Sequence, residues 1–244
     1  MKIIFSNNAV ITSASSALSE FPAGRVLESG LKRRWILDPL DSYPGIVLSV
    51  NAPGNAIMID NVTGASGATV TISNSGGVVK SESIMFSHTN GFGAFSTPRA
   101  WVDYPDQLTE HSIAISFTGS EIAVGIIYAG KAFRFPNPEW GVDPGDNDFV
   151  IREKLENGFE YATGQNRNRQ RTFKGVVNIT DLETYFGITH LLRQTYPGPM
   201  ACLVLDGMGQ QAEWAIYGGL AQLPGRPLAR YSNYPISFSI VEKL

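Results

Sequence analysis

The side chains best suited to chemistry in this sequence are carboxylates set among aromatics. Asp103, Asp106 and Glu110 surround Trp101 and Tyr104. Two carboxylates flanking a glycosidic bond are what glycan cleavage needs, one as acid and the other as base or nucleophile. Spacing along the chain does not fix how far apart the carboxyl groups sit, and the same residues also describe an exposed polar loop with a packed aromatic. Sugar binding without cleavage asks for less: a flat aromatic face with polar side chains at its rim. Trp101, Asp103, Tyr104 and Trp140 are the candidates, set against loop aromatics packed on the ends of the fold or on a neighbouring subunit.

Other groups offer less. Asp143, Asp146 and Asp148 lie in a Pro-Gly turn and are the best metal candidates, since calcium takes six to eight oxygens. Their spacing does not match an EF-hand loop, and a plain turn is expected there. His88, His111 and His190 are scattered, with no second ligand at zinc spacing. No phosphate-binding loop, dinucleotide fingerprint or nucleophile elbow is present, so no cofactor is expected. Arg167, Arg169 and Arg171 alternate, which places them on one face of a strand. That face suits an acidic protein partner better than nucleic acid, because no aromatics interleave with the arginines. A solvated strand face is the simpler alternative. Cys202 sits inside Met200–Leu205, an apolar run, and reads as a buried strand cysteine rather than a nucleophile.

The elements that hold these residues are mostly strands. Of 244 residues, 43% are apolar and only 17% charged, with 25 Gly and 14 Pro. That mix fills a core and favours many strands joined by turns. The formal charge of −3 gives no footprint for a polyanion, so nucleic acid is not expected as a partner. No apolar run approaches the roughly 20 residues of a membrane helix, and a soluble protein made in a cytoplasm is expected. Ile46, Leu48 and Val50, then Ala68, Val70 and Ile72, alternate with polar or small residues, as strands with one wet face do. Ala56–Ile59 is apolar throughout, as a central strand is. From Thr172 the pattern becomes strand, helix, strand, strand, strand. Thr180 to Glu183 has the form of a capping box, followed by Leu182, Tyr185, Phe186 and Ile188 at helical spacing. Leu182 and Phe186 are expected to share a core with Trp214 and Phe238. Tyr234, Ile236, Phe238 and Ile240 alternate almost to the end, so the closing strand is expected inside a sheet.

The first part of the chain resembles the discoidin, or galactose-binding-like, β-sandwich. The likeness rests on the small-residue loop before Phe21-Pro-Ala, on Trp35, on Ala56 to Val62, and on Ile122 to Gly130. The whole chain resembles a family of phage and prophage tail-tip (baseplate) proteins, through the helix opening at Thr180, Ala215 to Gly218, Arg230 to Ser232 and Ser237 to Glu242. The resemblance implies a mainly β protein. A discoidin-like sandwich (1–136) is followed by a small α+β module (137–244) with one helix and a C-terminal antiparallel hairpin. It implies a non-enzymatic structural part of a long-tailed phage tail tip, located in the virion, held by other tail proteins and present in several copies in a ring. The alternatives are a carbohydrate-binding protein that contacts a host surface glycan and, further off, a glycan-cleaving enzyme.

Overall fold

The computed structural model describes residues 1–28, 34–40, 44–90, 93–96, 98–138, 143–147, 151–154, 160–163, 170–206, 214–224 and 234–243. Strands are numbered in chain order. The first sheet holds, in spatial order, β2 (Ala9–Ala14), β4 (Gly45–Val50), β11 (His111–Val124), β6 (Thr63–Asn74) and β7 (Gly77–Met85), with β3 (Trp35–Ile36) pairing on β11. The second holds β10 (Arg99–Leu108), β5 (Gly54–Asp60) and β12 (Ile126–Gly130). The third runs β13 (Ala132–Arg134), β1 (Lys2–Ile4), β18 (Met200–Leu203), β19 (Ala215–Leu220), β20 (Tyr234–Glu242), β17 (Gln170–Ile179) and β14 (Asp143–Asn147). Two short hairpins, β8 (Ser87–Asn90) with β9 (Gly93–Ser96) and β15 (Ile151–Lys154) with β16 (Glu160–Thr163), stand apart. The helix α1 spans Leu182–Thr195. The expected mainly β architecture, a sandwich joined to a part with one helix and closing antiparallel strands, is what forms.

Strand periodicity explains how these pieces stack. On β5, Ile57 and Ile59 join the core against the first sheet, while Ala56 and Met58 join the core against the third. A strand buried on both faces cannot alternate with polar residues, which is why Ala56–Ile59 is apolar throughout. The third sheet is buried on both sides in the same way at β1, β18 and the first half of β19. Ile3, Cys202 and Ile216 face α1, and Ile4, Ala201, Leu203, Ala215 and Tyr217 face the second sheet. The layers are therefore sheet, sheet, sheet and helix, with a core in each gap. Each fully buried Val, Leu or Ile contributes about 1.5–3 kcal/mol of transfer free energy.

Strands from both ends of the chain meet in the third sheet. β1 pairs with β13 on one side and with β18 on the other. β20 lies between β19 and β17, so the closing strand is interior, as expected.

The helix differs from its expectation in two ways. Its N-cap is Asp181, whose carboxylate accepts from the Thr184 backbone N–H at 2.7 Å, so the cap lies one residue beyond Thr180. Hydrogen bonding from Thr184, its side chain first and its backbone N–H second, holds the Asp181 carboxyl below its ordinary value. The buried face is Tyr185, Ile188, Thr189 and Leu192. Leu182 and Phe186 instead point outward, 46% and 53% exposed. Phe238 therefore shares its core with Tyr185, Ile188 and Leu192 rather than with Leu182 and Phe186.

Candidate functional site

β10 is where the sugar-binding candidates fall, and the structure makes it a strand rather than a loop. It is an edge of the three-stranded sheet, and its register shifts between Asp103 and Leu108. Pro105 is tolerated there because an edge strand has an unpaired side. Side chains alternate along it, so Val102 enters the sandwich core and Trp101 the core against the third sheet. Trp101 is only 5% exposed, and its indole N–H donates to Asp103 Oδ1 at 3.0 Å. Tyr104 is equally enclosed, its hydroxyl 2.9 Å from His111 Nε2. Burial pushes the Tyr104 phenol well above its ordinary value. Neither ring offers a face to solvent, so neither is the exposed platform the sequence suggests. Trp140 lies outside the described residues.

Tyr104 does border a cavity, and so does Asp103. A cleft of about 150 Å³ opens beside it, lined by Lys2, Asn55, Tyr104, Pro105, Ala132 and Arg134. Four strands supply it: β1, β5, β10 and β13. Its polar groups other than Arg134 are held in place by bonds to their neighbours. Lys2 Nζ lies 2.7 Å from Asp103 Oδ2 and 2.9 Å from Asp206 Oδ1. The Asn55 amide clamps Ala132, accepting from its N–H at 2.6 Å and donating to its carbonyl at 3.3 Å. Asp103 accepts one bond on each oxygen, whereas a carboxylate offers about four acceptor sites. Lys2 donates to Asp103 and is ion-paired with Asp206, whereas an ammonium has three hydrogens to give. The cleft is thus a fixed polar surface with capacity left over. Sequence reasoning missed Lys2, Asn55 and Arg134. No local motif marks them, because their proximity joins residues far apart in the chain, 77 positions for Asn55 with Ala132 and 101 for Lys2 with Asp103.

A second polar set lies deep between the second and third sheets. Arg99 Nε is 3.5 Å from Asp60 Oδ1, and its Nη2 is 3.5 Å from Glu242 Oε1. Arg171 Nε meets the same Glu242 oxygen at 3.4 Å, and both arginines donate to the Ala215 carbonyl. Arg171 is therefore spent inside the molecule rather than on a solvated or partner-facing strand surface; Arg167 and Arg169 lie outside the described residues. Burial raises the Asp60 carboxyl to about 6, with Arg99 pulling it back and Glu242 pushing it further up.

The remaining candidates separate. The backbone of Asp143 and Asp146 belongs to β14, the outermost strand of the third sheet, instead of a turn, and Asp148 lies outside the described residues. Among the described residues no group of three His, Cys, Asp or Glu is placed to hold a metal ion. His111 is buried against Tyr104, and His190 is on the exposed side of α1. Cys202 is fully buried, and burial pushes its thiol up to about 12, as an inert strand cysteine requires. No helix among the described residues is long and apolar enough to cross a membrane.

No protein-family model matches the chain, and no curated protein matches it. Several solved structures are similar. A CBM32 carbohydrate-binding module from Clostridium perfringens, solved in complex with GlcNAc-α-1,4-galactose, has 15% identity and a TM-score of 0.39 over 52% of this chain and 93% of that one. The CBM32-1 module from a family 31 glycoside hydrolase of the same organism has 10% identity and a TM-score of 0.36 over 51% of this chain and 94% of that one. A chitosan-binding module of a chitosanase/glucanase from Paenibacillus has 15% identity and a TM-score of 0.33 over 51% of this chain and 93% of that one.

Proposed function

We propose that the protein is a non-catalytic carbohydrate-binding protein, and that one sugar ring occupies the cleft beside Asp103. The observation that carries this reading is the state of that carboxylate. It is fixed by two donors, from Trp101 and Lys2, and it lines the cleft with acceptor capacity left over. Groups fixed before the ligand arrives lose little freedom on binding, and sugar hydroxyls need acceptors held in this manner. The cleft has room for a single ring rather than a chain. A glycan array followed by calorimetry tests the reading. Binding that disappears in a folded Asp103→Asn variant supports it, and no binding to any neutral or acidic glycan at millimolar concentration sinks it.

A second reading is favoured by the outer face of α1, where Leu182 and Phe186 stand half-exposed four residues apart. Apolar side chains left uncovered at helical spacing suit a contact with another protein. On this reading the chain is a structural part of a phage tail tip, present in several copies in the virion. Mass spectrometry of purified particles of the producing phage tests it, and absence of the chain from them rules it out.

A further inference from the structure

Lys2 and Arg134 face each other across the β1–β13 ladder in register. Like charges directly opposite in an antiparallel pair are unfavourable. Lys2 is compensated, since its ammonium is shared between Asp103 and Asp206. Arg134 is not. It is exposed, it lines the cleft, and among the described residues it has no ion-pair partner. A cleft that fixes its other polar groups by pairing thus leaves one guanidinium open beside a second cation. A guanidinium is a planar fork whose natural counterpart is a carboxylate held by two parallel hydrogen bonds.

We infer that the ligand of this cleft is an acidic sugar, a uronate-type ring whose carboxylate is taken by Arg134 while its hydroxyls donate to Asp103. This rests on the carbohydrate reading and adds the charge class to it. Such a ring carries both complements, a carboxylate for the guanidinium and hydroxyls for the Asp103 oxygens, and both protein groups line the one cleft. A neutral sugar leaves Arg134 without a counter-charge, and a simple carboxylate leaves the spare acceptor sites of Asp103 unused. Asp103 does not repel the ligand as a bare anion would, because Lys2 already compensates it.

The test is a calorimetric series on the full chain with galacturonate against galactose, glucuronate against glucose, and acetate. Expected are at least a tenfold preference for each acid over its neutral partner, a loss of that preference in Arg134→Gln, and weakening of acid binding as salt is raised. Arg134→Lys keeps the charge but not the fork and should recover only part of the preference. The side chain is exposed, so both variants should melt with the wild type. Equal binding of acid and neutral sugars, or an acid preference that persists in Arg134→Gln, overturns the inference and leaves sugar binding standing. Acetate binding as tightly as the uronates overturns the sugar part of the assignment. Silence from every sugar overturns the carbohydrate reading itself.

Discussion

The two faces of the central sheet bury the same strands with different chemistry. Toward the first sheet, β5 presents Ile57 and Ile59, which meet Leu48, Val70 and Ile113 in an apolar cluster. Toward the third sheet it presents Ala56 and Met58, and there the cluster with Trp101, Tyr128 and Tyr217 is accompanied by Lys2, Asp60, Arg99 and Glu242, each less than a tenth exposed. An apolar interface tolerates many residues of suitable volume. A buried ion cluster adds little net stability over apolar packing, but losing one member leaves another charge uncompensated. The sandwich core is thus forgiving, and the junction with the third sheet is not.

Cutting the chain after residue 136 should give the largest effect. The fragment keeps the apolar interface whole but strips Ala201, Leu203, Ala215 and Tyr217 from Met58, Trp101, Ile126 and Tyr128. It also leaves β1 without β18 and Arg99 without Glu242. Expressed alone, the fragment should aggregate or bind a hydrophobic dye, as exposed apolar patches do. A soluble, monomeric fragment with cooperative unfolding would show that the two interfaces are independent.

Arg99→Ala comes next. It leaves the Asp60 and Glu242 carboxylates buried without their shared cation, at a cost of about 3–5 kcal/mol. Ile59→Val, on the apolar side of the paired strand, should cost about 0.5–1.5 kcal/mol. Denaturant titration of the two variants compares the faces directly, and equal losses would erase the distinction drawn between them.

The apolar side of this comparison was legible in the sequence, and the charged side was not. Ala56–Ile59 and Met200–Leu205 announce strands buried on both faces, and the alternation through Ile236, Phe238 and Ile240 announces an interior closing strand. These are local patterns with a fixed period. Trp101, Asp103 and Tyr104 read as a loop because Pro105 and two acidic residues interrupt the apolar pattern, and only the edge position of β10 reconciles them with a strand. Asp143-Pro-Gly misleads in the same way at the edge strand β14. Arg171 reads as a surface residue because its partner, Glu242, lies 71 residues away. The cleft escaped notice for the same reason: Lys2 and Asp103 are 101 residues apart, and nothing beside either residue signals the other.

The pH dependence of stability sharpens the comparison further, with an effect below that of Arg99→Ala. The Asp60 carboxyl titrates near about 6 in the fold and near about 4 in an unfolded chain. Between these values the folded state binds more protons, so the contribution of Asp60 to stability falls as pH rises from about 4 to about 6 and is level above that. The change is about 3 kcal/mol at most. Asp60→Asn cannot titrate. The wild-type stability minus that of Asp60→Asn should therefore be most favourable near pH 4 and decline toward pH 7. A difference that stays flat over this range would mean that Asp60 is not desolvated as its burial requires.

The smallest effect is expected at Phe186 on α1, a helix whose two sides repeat the contrast at the outer edge of the molecule. Ile188 and Leu192 seal the third core, and Ile188→Ala should cost about 2–5 kcal/mol. Phe186 belongs to the same helix but is half-exposed, and its ring meets Tyr185 with centroids 5.7 Å apart. Replacing it by Ser removes that edge contact and trades one ordinary helix former for another, so the change should stay within about 0.5 kcal/mol. Solubility should rise, because an uncovered apolar pair, Leu182 with Phe186, is being dismantled. The measurement is a thermal melt of Phe186→Ser beside Ile188→Ala, with light scattering at increasing concentration. A melt that falls as far for Phe186→Ser as for Ile188→Ala would place Phe186 in the core. That result would restore the helix phase expected from Leu182 and Phe186 and remove the uncovered face that the assembly reading draws on.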